Sequence, residues 1–149
     1  MTPNQTPRRF QILLVDDNAA DIELTCQCFH ETGVPCDLHP LLDGDSALAF
    51  LKRTPPYERS SRPDLILLDL NLPGTDGREV LQILKSQPES QSIPVVVLTT
   101  SDSEIDVAEA YRLHANAYHR KPVDLEDFLR LAASIGDYWF RWVTRPTTK

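Results

Sequence analysis

Asp64-Leu65-Ile66-Leu67-Leu68-Asp69-Leu70-Asn71-Leu72-Pro73-Gly74 is the stretch whose reading decides the fold. Its apolar run does not alternate with polar residues, so both faces of the strand it predicts (64–70) are buried, the pattern of a parallel sheet. Outward from this stretch the pattern repeats. Residues 10–15, 37–42, 94–99 and 117–120 read as four more strands. Between and after them, helices are predicted over 19–32 (stopped by Gly33 and Pro35), 45–52, 77–87, 103–113 and 124–142. Strands and helices in strict alternation give an α/β, doubly wound five-stranded parallel sheet with right-handed crossovers.

Such a sheet gathers whatever stands at the carboxyl ends of its strands, where α/β folds bind ligands. Asp16 and Asp17 follow the first strand, Asp69 ends the third, and Lys121 follows the fifth. Three clustered carboxylates repel one another unless a cation lies among them. A hard, oxygen-seeking ion, Mg²⁺ or Mn²⁺, suits the set and keeps waters that a phosphoryl group can displace. Singly, each residue has a plainer use. Asp16-Asp17 would favour the start of the next helix, Lys121 could be an exposed lysine before a proline turn, and Tyr118 could simply pack on the sheet. Asp69 has least escape, because a carboxylate closing an apolar strand has little local structural use.

The 149 residues favour one core-bearing domain. With 41% hydrophobic and 25% charged residues, the composition is that of an ordinary globular protein. A net charge of −7 argues against a nucleic-acid surface. No apolar run approaches the ~20 residues of a membrane helix, and the start lacks a signal peptide's apolar segment, so a cytoplasmic protein is expected. Cys26, Cys28 and Cys36 suit neither a disulfide framework nor a zinc site and read as reduced thiols. The expected organisation is a flexible start over 1–9 (with Arg8-Arg9 as part of a frayed end), one domain over 10–143 and a polar tail over 144–149, leaving no room for an effector domain. The polar connection 54–62 reads as a tolerated insertion at the amino ends of the strands.

Taken together, Val15-Asp16-Asp17-Asn18, the run from Asp64 to Gly74, Leu98-Thr99, Tyr118 and Lys121-Pro122 resemble the receiver domain of two-component response regulators. The resemblance covers nearly the whole chain. It implies the flavodoxin-like strand order 2-1-3-4-5 and assigns roles. Asp69 would accept a phosphoryl group from a sensor kinase phosphohistidine, as carboxylate nucleophiles do. Asp17 and Asp69 would bind the metal directly, Asn71 through its carbonyl and Asp16 through a water. Lys121 would set its ammonium against the phosphoryl oxygens, Thr99 would donate its hydroxyl to them, and Tyr118 would follow Thr99 inward, switching the surface of the fourth helix, fifth strand and fifth helix. Thr100 departs from the small residue usual after the switch threonine. Neither Asn71 nor Ser101 offers a base, so slow autodephosphorylation is expected. The 54–62 connection and the tail Tyr138-Trp139-Phe140-Arg141-Trp142 resemble the stand-alone regulators of bacterial, particularly cyanobacterial, phytochrome kinases.

The competing reading is a phosphatase of the haloacid dehalogenase type, but that chemistry wants an acid two residues after the nucleophile and finds Asn71. A homodimer is also expected. Leu125, Phe128, Leu129, Ala132, Ile135, Trp139 and Trp142 form one stripe on the last helix and would cover the sheet. Leu131, Tyr138 and Phe140 lie outside it and, with Val107 and Tyr111 of the preceding helix, would form an apolar dimer face. Ile105 and Ala108 would face inward.

Overall fold

The computed structural model describes residues 8–146. Five strands, β1 (Phe10–Val15), β2 (Cys36–Leu41), β3 (Leu65–Leu68), β4 (Val95–Thr99) and β5 (Ala117–Arg120), form one parallel sheet in the order β2-β1-β3-β4-β5. Helices α1 (Ala19–Glu31), α2 (Gly44–Lys52), α3 (Gly77–Ser86), α4 (Glu104–Arg112) and α5 (Leu125–Gly136) cover its two faces. The doubly wound fold and strand order expected from the sequence are those observed.

The double burial of the strands is literal. Leu13, Val15, Ile66, Leu68, Val95 and Val97 point into one core with Phe50 of α2, Val80, Leu81 and Leu84 of α3 and Ala110 of α4. Their sequence neighbours Ile12, Leu14, Leu65, Leu67, Val96 and Leu98 point into the other, against Phe29 of α1 and Phe128, Ala132 and Ile135 of α5. Each fully buried leucine or isoleucine is worth roughly 1.5–3 kcal/mol of transfer free energy. Asn18, Asp43, Asp76 and Asp124 then start α1, α2, α3 and α5, each accepting from a backbone N–H of the first turn. Gly77 lets α3 seat against the end of β3, since a Cβ there would lie 2.3 Å from the Asp69 carbonyl oxygen.

Several expectations need correction. The predicted final helix 124–142 is α-helical only to Gly136; residues Asp137–Trp142 form a wider π-helical turn. This wider turn rotates the stripe, so Trp142 is 75% exposed. Separately, Leu125 in the first turn of α5 is 54% exposed. Phe140 is not on a free face: its ring packs edge-on against Phe10 with centroids 5.7 Å apart. Leu131 is half-buried against the same core. In α4, Ile105 is 77% exposed and Ala108 is exposed, while Ala110 faces in. Arg8 and Arg9 are tied down, to Asp64 at 2.9 Å and Asp37 at 2.7 Å; the rest of the segment expected to be flexible, 1–7, lies outside the described residues, as do 147–149 of the polar tail. Arg145 of that tail lies 4.5 Å over the Phe10 ring. In the 54–62 connection Tyr57 packs on Phe50, centroids 5.5 Å apart. The three cysteines are unpaired, Cys28 buried and the other two half-buried.

Candidate functional site

Asp16, Asp69 and Lys121 each stand one residue past a strand and are fixed there by a hydrogen bond that continues the ladder. Asp16 N donates to Leu41 O at 3.0 Å, Asp69 N to Val15 O at 2.9 Å and Lys121 N to Thr99 O at 2.7 Å. Asp16, Asp69, Thr99 and Lys121 are all buried, whereas Asp17 is exposed.

Asp69 is the hub. Its Oδ1 accepts from the Thr99 hydroxyl at 2.8 Å and from Asn71 N at 3.0 Å, and its Oδ2 accepts from Lys121 Nζ at 3.0 Å. Lys121 Nζ also lies 2.7 Å from Asp16 Oδ2 and 2.9 Å from Asp21 Oδ2. Burial alone would push the Lys121 ammonium down; the three carboxylates reverse this and hold it charged far above the usual lysine range. Burial likewise raises Asp16, against the opposing hydrogen bonds from Lys121 and the Asn18 N–H.

Asp16, Asp17 and Asp69 each bring a carboxylate oxygen within 4.8 Å of the others. Three hard oxygens on rigid strand ends, with one lysine between two of them, still leave surplus negative charge. The donor set therefore fits Mg²⁺ or Mn²⁺.

Tyr118 is half-buried, and its hydroxyl donates to the Ser101 carbonyl at 2.9 Å. The Ser101 hydroxyl donates to Asp106 Oδ2 at 2.5 Å, and Arg78 NH2 donates to Asp106 Oδ1 at 2.6 Å. Arg78 also lies 3.2 Å from both Asp76 and Glu109. The loop after β4 is thus linked to α3 and α4 through one guanidinium. Of the residues proposed for a dimer face, Tyr111 (48%) and Tyr138 (57%) are exposed, and Val107 is half-buried.

Asp21 and Arg78 escaped the sequence reading. Asp21 carries a usable signal, for it lies in the first turn of the helix that directly follows Asp16-Asp17. Arg78 carries none, because the partners that tie it to the loop after β4, Asp106 and Glu109, lie on a helix 28 or more residues away.

A family model for the response regulator receiver domain matches residues 12–133. The chain belongs to the response regulator receiver family. It is 47% identical to the response regulator Rcp1 of Synechocystis over 135 residues, covering 91% of this chain and 92% of that protein. Among solved structures, the phosphorylated cyanobacterial phytochrome response regulator RcpA superposes with a TM-score of 0.90 at 43% identity, covering 94% of this chain and 100% of RcpA. The Mn²⁺-bound form of Rcp1 gives 0.87 at 46% identity, over 93% of this chain and 99% of that one. The relation to phytochrome response regulators expected from the tail and the 54–62 connection is therefore supported, and the phosphatase alternative finds no support. Receivers are signalling proteins of two-component systems and carry Mg²⁺ or Mn²⁺ at this acidic pocket. No described helix is long and apolar enough to cross a membrane.

Proposed function

We propose that this receiver accepts a phosphoryl group on Asp69 from the phosphohistidine of a phytochrome-type sensor kinase in the cytoplasm. The observation that carries the reading is a buried Asp69 held by Thr99 and Lys121 inside a cluster of three carboxylates. An Asp69 oxygen forms the new bond to phosphorus as the P–N bond to the kinase imidazole breaks, the electron pair leaving with the nitrogen. Lys121 supplies a fixed positive charge to the phosphoryl oxygens. Asp16, Asp17, Asp69 and the Asn71 carbonyl would hold the divalent ion, which when bound neutralises charge on the group in transfer.

Thr99 is the natural reporter of the product. Its hydroxyl, now given to Asp69, turns to a phosphoryl oxygen and draws the β4–α4 loop with it. Tyr118, bonded to the Ser101 carbonyl in that loop, follows, and the α4-β5-α5 surface changes. With Asn71 and Ser101 beside the pocket and no base among them, dephosphorylation is slow. As part of the same reading, two copies pair through this face around Tyr111 and Tyr138, where a groove of about 420 Å³ between β5 and α5 is lined by His119, Ile135, Tyr138 and Trp139.

Incubation with acetyl phosphate and Mg²⁺, followed by mass spectrometry of the intact and digested protein, tests the chemistry. One added phosphoryl group on Asp69 is expected; none, or a label elsewhere, refutes it. Sedimentation equilibrium at micromolar concentration tests the pairing, which a monomer in both phosphorylation states would refute.

A further inference from the structure

An acidic residue in the third position of a helix usually reaches back to the N–H of the capping residue, closing a capping box. Asp21 occupies that position in α1 and does not do this. The Asn18 N–H is already taken by Asp16 Oδ1 at 2.9 Å. The Asp21 main chain is held without its side chain, since its N–H donates to Asn18 Oδ1 at 3.0 Å and its carbonyl accepts the Thr25 hydroxyl at 2.7 Å. Its carboxylate is instead directed at Lys121 Nζ, 2.9 Å away.

An ammonium has three N–H donors, and Lys121 finds three carboxylates, Asp16, Asp21 and Asp69. Two of the three, Asp16 and Asp69, belong to the triplet that fits a divalent cation. The cation and the ammonium therefore compete for the same carboxylates and repel each other at short range. Among the described residues, Asp21 is the one partner of Lys121 outside the triplet. We propose that Asp21 is a positioning residue that retains Lys121 at the pocket when a divalent cation takes Asp16 and Asp69, so that metal and lysine are present together. This deepens the functional reading above and rests on it.

A thermodynamic cycle on Mn²⁺ binding, measured by calorimetry, separates this role from a bare charge effect. The proteins are the parent, Asp21→Asn, Lys121→Gln and the double variant, with Lys121→Met in place of Lys121→Gln if the latter does not fold. With Lys121 present, Asp21→Asn leaves the ammonium nowhere to retreat and should weaken Mn²⁺ about tenfold, within the coupling range of contacting charges. Without Lys121 the same substitution should change affinity less than about twofold. Equal losses in both backgrounds would overturn the proposal while leaving the metal site and phosphorylation at Asp69 standing. Absence of Mn²⁺ binding in the parent would overturn the functional reading and this proposal with it.

Discussion

Strand β3 is bracketed by two aspartates, Asp64 before it and Asp69 after it, and both are buried, at 7% and 6% exposure. By burial and position they look alike. Their neighbours differ. Asp64 accepts from Gln11 N at 2.8 Å and from Arg8 at 2.9 Å, and Arg145 NH1 lies 3.1 Å away, off its N–H axis. One negative charge meets two positive ones, so no negative charge is left over. Asp69 shares a single lysine with Asp16 and Asp21 and has Asp17 beside it. A buried carboxylate with compensated charge holds structure together, whereas one left in surplus negative charge is poised for a cation and a phosphoryl group. Charge balance, not burial, separates the two.

The largest expected effect tests that contrast directly. Asp69→Asn should reduce phosphorylation by acetyl phosphate to background, read by intact mass, while Asp64→Asn leaves it at the parent level. A loss in both would erase the distinction. Next, Asp64→Ala should lower unfolding free energy by about 2–3 kcal/mol in urea titrations, because Arg8 and the Gln11 N–H lose a shared acceptor and Arg145 loses the opposite charge beside it. Asp69→Asn should not be destabilising to that degree without metal, since it relieves carboxylate repulsion.

Mg²⁺ sharpens the comparison at a similar scale. At a hundred times its dissociation constant it should add about 2.7 kcal/mol of stability to the parent and to Asp64→Ala. Asp17→Asn and Asp69→Asn should gain much less, and thermal melts with and without Mg²⁺ would show it. Smallest of all, Arg78→Ala should remove about 1 kcal/mol, as expected of a partly exposed ion-pair network. Hydrogen exchange should nonetheless quicken at residues 101–103, because the loop loses its anchor through Asp106. Unchanged exchange there would detach Arg78 from the loop that carries Ser101.

Much of this was legible in the sequence. Leu65–Leu68 and Val95–Thr99 announced themselves because a doubly buried strand has no polar residue to spare. Asp16, Asp17, Asp69 and Lys121 were singled out because strand ends converge by topology alone, and Thr99 through the resemblance to receiver domains. What was not legible depended on finer geometry. The last helix was read too long because a π turn changes the period that pattern reading assumes. In α4 only Ala110 is fully buried, so its apolar residues gave no reliable inward face. Arg8 and Arg145 looked like loose ends because their shared target, Asp64, lies far from both in sequence.

That shared target has a practical consequence. Arg8, Arg145 and the Phe10–Phe140 contact gather the two ends of the described chain at the amino end of β3. The five-residue step from Asp64 to Asp69 carries the acidic pocket about 17 Å away along the strand direction. A fluorophore or a surface tether attached at residue 8 or 145 would emerge at one pole and leave the other open. An instrument built on this receiver could therefore be held from below while a kinase works on it from above.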